Sequence, residues 1–136
     1  MVAPRPIAPG LFTMNLEAPR LVAARCRACA RIQFPSSETC PYCGHTGCDT
    51  IEVGPSASLF LFTAIRTAPP GYRGALPYGF GVVELPEGLR VITRLTEADP
   101  GSLHPGIAMQ LVIVPLFTDD DGTPVVSYAF ARAATP

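Results

Sequence analysis

Arg25-Cys26-Arg27-Ala28-Cys29-Ala30 and, after an interval of ten residues from Cys29, Cys40-Pro41-Tyr42-Cys43-Gly44 are the stretch on which the reading of this chain turns. Two Cys-x2-Cys pairs inside 18 residues put four thiols on two tight knuckles, which can close a tetrahedron of ~2.3 Å bonds around Zn²⁺. With four thiolates the site has no open position, and binding contributes folding energy directly. The surroundings ask for such a staple: residues 21–52 hold all five cysteines and little apolar material of their own, too little to build a core. Cys26, Cys29, Cys40 and Cys43 are the expected ligands. Their formal charge of −2 with the ion bound would be offset by Arg25, Arg27 and Arg31.

The remaining cysteine, Cys48, lies five residues past Cys43 with His45 between them. Either could substitute as a ligand, but neither keeps the two-by-two symmetry of the knuckles. A nucleophilic Cys48 with His45 as base is the alternative, and nothing nearby resembles an oxyanion hole. Iron is the rival metal, because Cys40-Pro41-Tyr42-Cys43-Gly44 also resembles the second knuckle of rubredoxins. Visible absorbance separates the two ions.

The chain has 136 residues, of which 48 % are apolar and 15 % charged, against roughly 25 % charged in an average domain. It can bury a core and is short of charge for its surface, so it should expose an apolar patch of the kind that marks an interaction face. Sixteen Pro and twelve Gly rule out long helices, and no apolar run approaches the ~20 residues of a membrane-spanning helix. Pro4, Pro6 and Pro9 interrupt any secretory-signal pattern, so the cytoplasm is expected. There, thiols at this spacing serve a metal and not a disulfide framework. The net charge is −1 and all ten basic residues are Arg, so bulk charge does not recruit nucleic acid.

Three regions follow: 1–20, a Pro- and Ala-rich tail with a short apolar stretch (11–16) and room for a turn of helix; 21–52, the ribbon; and 53–136, a β domain. In the last, short apolar runs separated by Pro, Gly and Asp predict five strands near 56–66, 78–85, 89–95, 107–116 and 125–131. Leu89, Val91, Thr93 and Leu95 alternate with Arg90, Ile92 and Arg94, as in a half-buried strand. The fourth strand is apolar on both faces and is expected at the centre. The run Thr118-Asp119-Asp120-Asp121-Gly122 reads as a hairpin turn, since the spacing and closing Glu of a calcium loop are missing. Five strands with a longer link between third and fourth fit the OB-fold, a small Greek-key barrel; a small sandwich fits the composition nearly as well.

Several residues are candidates for contact with a ligand. The loop Arg66-Thr67-Ala68-Pro69-Pro70-Gly71-Tyr72-Arg73-Gly74 offers two guanidinium groups and a ring, suited to phosphate and to a flat base; an ordinary solvated loop is the competing reading. Gly79 and Gly81 alternate on one strand face, leaving either a groove for a pantetheine arm or a barrel bend that needs small residues. Arg90 and Arg94, about 13 Å apart by strand rise, are a solvated face or partners for acids on another protein.

The order of features resembles the DUF35 family, zinc-ribbon OB-fold proteins associated with acyl-CoA enzymes. The residues that carry the resemblance are the two knuckles, Pro77-Tyr78-Gly79, Val83-Glu84-Leu85-x2-Gly88, Pro105-Gly106 and Tyr128-Ala129-Phe130, over roughly residues 21–132. Ala30 departs from it, standing where the family has Gly, which implies strain in the first knuckle. The resemblance implies an all-β chain: an N-terminal rubredoxin-like zinc ribbon followed by a five-stranded OB-fold barrel. It also implies a non-catalytic subunit, with one structural Zn²⁺, in a hetero-oligomer with a thiolase-like or acyltransferase catalytic subunit. CoA or acyl-CoA would be shared with that partner through Arg66, Tyr72, Arg73, Gly79 and Gly81, with no membrane and no nucleic acid involved. The competing function is single-stranded nucleic-acid binding, which barrels and ribbons also serve. Against it stand the absence of Lys and Trp and the acidic residues gathered after residue 96.

Overall fold

The computed structural model describes residues 3–15 and 17–133. Nine strands occur in the order β1 (Arg5–Pro6), β2 (Leu21–Cys26), β3 (Ile32–Gln33), β4 (Cys48–Val53), β5 (Ser56–Ile65), β6 (Tyr78–Glu84), β7 (Arg90–Leu95), β8 (Ala108–Thr118) and β9 (Pro124–Arg132), with a 3-10 turn at Pro100–Ser102. Among the described residues no helix is long and apolar enough to cross a membrane.

β5, β6, β7, β9 and β8 close into a five-stranded barrel, antiparallel except where β7 meets β9, with β8 returning to β5. Closure excludes the sandwich and matches the expected OB-fold. On β7 the alternation is as read: Val91, Thr93 and Leu95 are buried while Arg90 and Ile92 face out. β8 differs from its expected central place. Met109 and Leu111 are buried, but β5 covers only its start, at Ala108, Met109 and Gln110. From Val112 on it continues past the barrel paired with β9 alone, and its second half is partly exposed. Apolar residues on both faces here serve a projecting hairpin, and Pro115 sits beside the register break of that hairpin, where a missing donor is tolerated.

β3, β2 and β4 form a second, three-stranded sheet. Leu21 and Ala23 of β2 and Val53 of β4 are fully buried in the same cluster as Leu59, Val83, Leu111 and Phe130 of the barrel. The segment that looked coreless in sequence borrows the barrel's core.

The N-terminal segment is also more firmly attached than a loose tail. It runs extended: β1 pairs in parallel with β9, the Ile7 amide donates to the Val126 carbonyl at 2.8 Å, and the Arg5 guanidinium holds Asp119 at 3.0 Å. Phe12 is buried edge-on to Tyr128, with ring centroids 6.2 Å apart. Pro6, which would break a helix, is compatible with a short edge strand. Of the apolar stretch 11–16, residue 16 lies outside the described residues.

Because Leu21 belongs to the ribbon strand yet packs inside the barrel cluster, Leu21→Ala should destabilise the whole molecule by about 2–5 kcal/mol. Urea unfolding followed by circular dichroism should still show one transition; a barrel transition left at its original midpoint would mean that the two sheets do not share a core.

Candidate metal centre

β2 ends on Cys26, and the chain then turns twice in the same way. The Ala30 amide donates to the Cys26 carbonyl and the Gly44 amide to the Cys40 carbonyl, both at 2.9 Å. Inside each turn, backbone amides point at the first thiol: Ala28 and Cys29 toward Cys26 Sγ at 3.3 and 3.4 Å, Tyr42 toward Cys40 Sγ at 3.4 Å. The turns need a left-handed residue at their ends, supplied by Gly44 at φ +78° and by Ala30 at φ +64°. Ala30 is the one non-glycine residue with positive φ among those described, so the strain expected from the sequence is present.

The four thiol sulfurs lie within 4.8 Å of one another. Cys26–Cys43 and Cys29–Cys40 are each 3.6 Å apart, close to the ~3.8 Å edge of a tetrahedron with ~2.3 Å bonds. The donor set therefore fits one zinc ion held by Cys26, Cys29, Cys40 and Cys43. Such an ion supplies a cross-link between the knuckles and, with no open position, no Lewis-acid chemistry.

The thiols differ in acidity. The Cys29 amide, outweighing burial and assisted by the Ala28 amide and the Cys43 and Cys29 thiols, pulls Cys26 down to about 6. For Cys43 the His45 amide acts downward, but the Cys26 thiol, burial and the Cys29 and Cys40 thiols prevail and push it up to about 12. Without a cation the cluster shares its charge unevenly, and a metal must displace the remaining protons.

The flanking charges are engaged around the knuckles. Arg27 pairs with Asp49 of β4 at 2.7 Å, and Arg31 lies 5.1 Å from the centroid of the Tyr42 ring. Cys48 stands outside the tetrad, directly across from Cys26 in the β2–β4 register, its thiol raised chiefly by burial. The His45 ring packs over Gly47, and no hydrogen bond joins it to Cys48 among the described residues.

The other sequence candidates form a separate cluster on the barrel. The Tyr72 hydroxyl donates to the Ala75 carbonyl at 2.7 Å and accepts from Arg94 at 3.0 Å, while its ring lies against Tyr78 with centroids 4.9 Å apart. Arg73 pairs with Asp120 at 3.4 Å and covers the Phe117 ring. Arg66 has no ion pair among the described residues and borders a crevice with Glu97 and Asp99. Gly79 and Gly81 face inward: a Cβ on Gly81 would strike the Leu61 carbonyl, and one on Gly79 the Glu97 carbonyl. Their smallness lets neighbouring backbone cross closely, as the barrel-bend reading of the two glycines expects. Arg90 pairs with Glu84 at 3.0 Å and stacks on Phe60; Arg94 sits over Tyr78 at 4.4 Å. Sequence reasoning missed this Tyr72–Tyr78–Arg94 cluster, whose only signal was that Tyr78 and Arg94 both occupy outward positions of predicted strands. The acidic run is the turn it was read as, with the Asp119 carboxylate accepting from the Asp121 and Thr123 amides.

The expected apolar patch is present. A register break at Phe60 brings Leu61 level with Val82, which is level with Ile92, making a row across β5, β6 and β7. Phe60, Leu61 and Ile92 are 43, 50 and 63 % exposed. Beside the row lies a groove of about 470 Å³ bordered by Phe34, Phe80, Arg90, Ile92, Arg94 and Tyr128.

Two measurements check the centre. Ala30→Gly removes a left-handed alanine and should stabilise the chain by about 1 kcal/mol, the strain relieved less the backbone freedom glycine loses, seen as a raised urea midpoint. The Cys26 thiolate, depressed from an ordinary 9.0 to about 6, supports the folded arm above those values and loses that support as pH falls through about 6. Zinc retention, read with a chromophoric chelator, should therefore fall as pH drops below about 6, and zinc uptake by the metal-free chain at neutral pH should release protons.

Two family models match: the rubredoxin-like zinc ribbon domain of ChsH2 over residues 16–47 and the C-terminal OB-fold domain of ChsH2 over residues 50–114. Subunit BbsA of the benzoylsuccinyl-CoA thiolase of Thauera aromatica is 30 % identical over 116 residues, 85 % of this chain and 78 % of the relative. A DUF35 domain-containing scaffold protein of Methanocaldococcus jannaschii is 28 % identical over 81 % of this chain and 79 % of its own length. Among solved structures, the Ltp2-ChsH2(DUF35) aldolase superposes with a TM-score of 0.62 at 29 % identity, covering 85 % of this chain and 86 % of the matched one. With the ribbon, the closed barrel and these relatives in agreement, the chain belongs to the DUF35 family of zinc-ribbon OB-fold proteins.

Proposed function

We propose that this chain is the accessory subunit of a thiolase-like complex, without chemistry of its own. Its structural zinc, on Cys26, Cys29, Cys40 and Cys43, would serve to fold the ribbon. The observation that carries the reading is the outward row Leu61, Val82 and Ile92 with Phe60 beside it, on a chain with so few charges. Exposed apolar residues gathered across three strands fit a protein interface better than a free surface. The relatives supply the kind of partner: one is a thiolase subunit, two are scaffolds, and the solved neighbour is an aldolase assembly.

Acyl-CoA shared between the subunits is the finer part of the reading. It is supported by Arg66, whose guanidinium has no ion pair among the described residues, and by the phosphate-binding habit of arginine. Tyr72 and Arg73 are committed to the barrel and hairpin, so their part would be to hold the loop in place. Cytoplasmic residence fits a centre of four free thiols. A nucleic-acid role finds little support: the chain has no lysine, and its Arg90 and Arg73 are neutralised by acids.

The experiment is reconstitution with the thiolase-type enzyme encoded nearest to this chain. A 1:1 or higher-order complex should form and alter that enzyme's turnover, while the isolated chain turns over no acyl-CoA. Leu61→Glu, at a position exposed enough to leave the fold unchanged, should weaken the complex by about 30-fold or more, as for a central interface residue, measured by calorimetry. Unchanged affinity would remove the row from the interface.

A further inference from the structure

The barrel closes incompletely between β7 and β9. The two strands pair only at Arg94–Ala129 and Leu95–Phe130, and β1 takes the β9 edge at Val125 and Val126. The hydrogen-bond phase of β7 shows which of its groups are left over. The Leu85 amide bonds to the Leu89 carbonyl, so along the β6–β7 ladder Val83–Val91 and Gly81–Thr93 are the bonded pairs, while Arg90 and Ile92 turn their amides and carbonyls away from β6. The Tyr128 hydroxyl, which reaches across the gap to the Ile92 carbonyl at 3.2 Å, confirms the direction. The β7–β9 register begins only at Arg94, and among the described residues no side chain and no backbone carbonyl outside the strands accepts from the Arg90 or Ile92 amide. The result is a stretch of strand edge with two donors in step, two residues apart.

This edge borders the groove of about 470 Å³, whose opposite wall includes Phe34 of the ribbon. Arg90 and Arg94 stand at its two ends, about 13 Å apart, the span of four residues in an extended chain. Arg94 meets only tyrosines and has no carboxylate partner among the described residues. Donors in register, an apolar wall and the Arg94 cation at one end, with Arg90 already paired to Glu84 at the other, together describe a receptor for an extended peptide.

We propose that the β7 edge receives an extended segment of the partner subunit as an added strand. Its backbone carbonyls would accept from the Arg90 and Ile92 amides, an apolar residue would face Phe34, and a carboxylate would meet Arg94. The inference rests on the accessory-subunit reading and specifies how the partner is held: by main-chain hydrogen bonds beside the apolar row, with charge selecting the segment.

Hydrogen exchange on the reconstituted complex tests it. The Arg90 and Ile92 amides should slow by at least about tenfold on binding, whereas those of Val91 and Thr93, already bonded to β6, should change little. Ile92→Pro deletes the donor at a position where the barrel itself does not use it, and should weaken the complex by about tenfold or more beyond Ile92→Ala, which removes the same apolar side chain but keeps the amide; equal weakening by the two variants overturns this inference. A complex that forms with both amides exchanging as in the free chain overturns this inference and leaves the accessory role standing. Failure to form any complex overturns both.

Discussion

Four thiols drawn within 4.8 Å of one another are the constraint on which this molecule depends, because sulfurs that close repel as thiolates and share protons otherwise. Cys26 held near 6 and Cys43 near 12 are the two faces of that conflict. A divalent ion resolves it, and in doing so joins the end of β2 to a knuckle 14 residues later in the chain. The same β2 that ends on the first knuckle pairs with β4 and places Leu21 and Ala23 in the barrel's core.

The barrel in turn is shaped by where backbone must pass close to backbone. Gly79 and Gly81 let the chain near Leu61 and Glu97 approach β6, and the register break at Phe60 turns two successive apolar side chains outward. The β-bulge thus converts a strand that would bury every second residue into one that presents an apolar face. The same economy of closure leaves β7 short of a partner at Arg90 and Ile92. Tyr128 spans the gap with its hydroxyl instead of its main chain.

Much of this was legible in sequence, for local reasons. Strand positions followed from period-two alternation and from Pro and Gly between the runs, so β5 to β9 fall within a few residues of their expected bounds. Ala30 announced its strain by replacing a glycine. What could not be read were features that depend on distant segments meeting. The Pro-rich start looked loose because its partner, β9, lies more than a hundred residues away. β8 looked central because apolar residues on both faces do not tell burial in a barrel from packing in a projecting hairpin. Tyr72 and Arg73 looked available because nothing local reveals that Arg94 and Asp120 already hold them.

The amino-acid sequence alone determined the four-cysteine cluster, the five barrel strands and the shortage of surface charge, each of which is a property of composition or short-range spacing. Only the tertiary structure decided that the ribbon shares the barrel's core, that Arg94 gathers with Tyr72 and Tyr78, and that one strand edge remains open. Those outcomes depend on which segments compete successfully for the same space and the same hydrogen bonds, and that competition is settled only when the whole chain is folded.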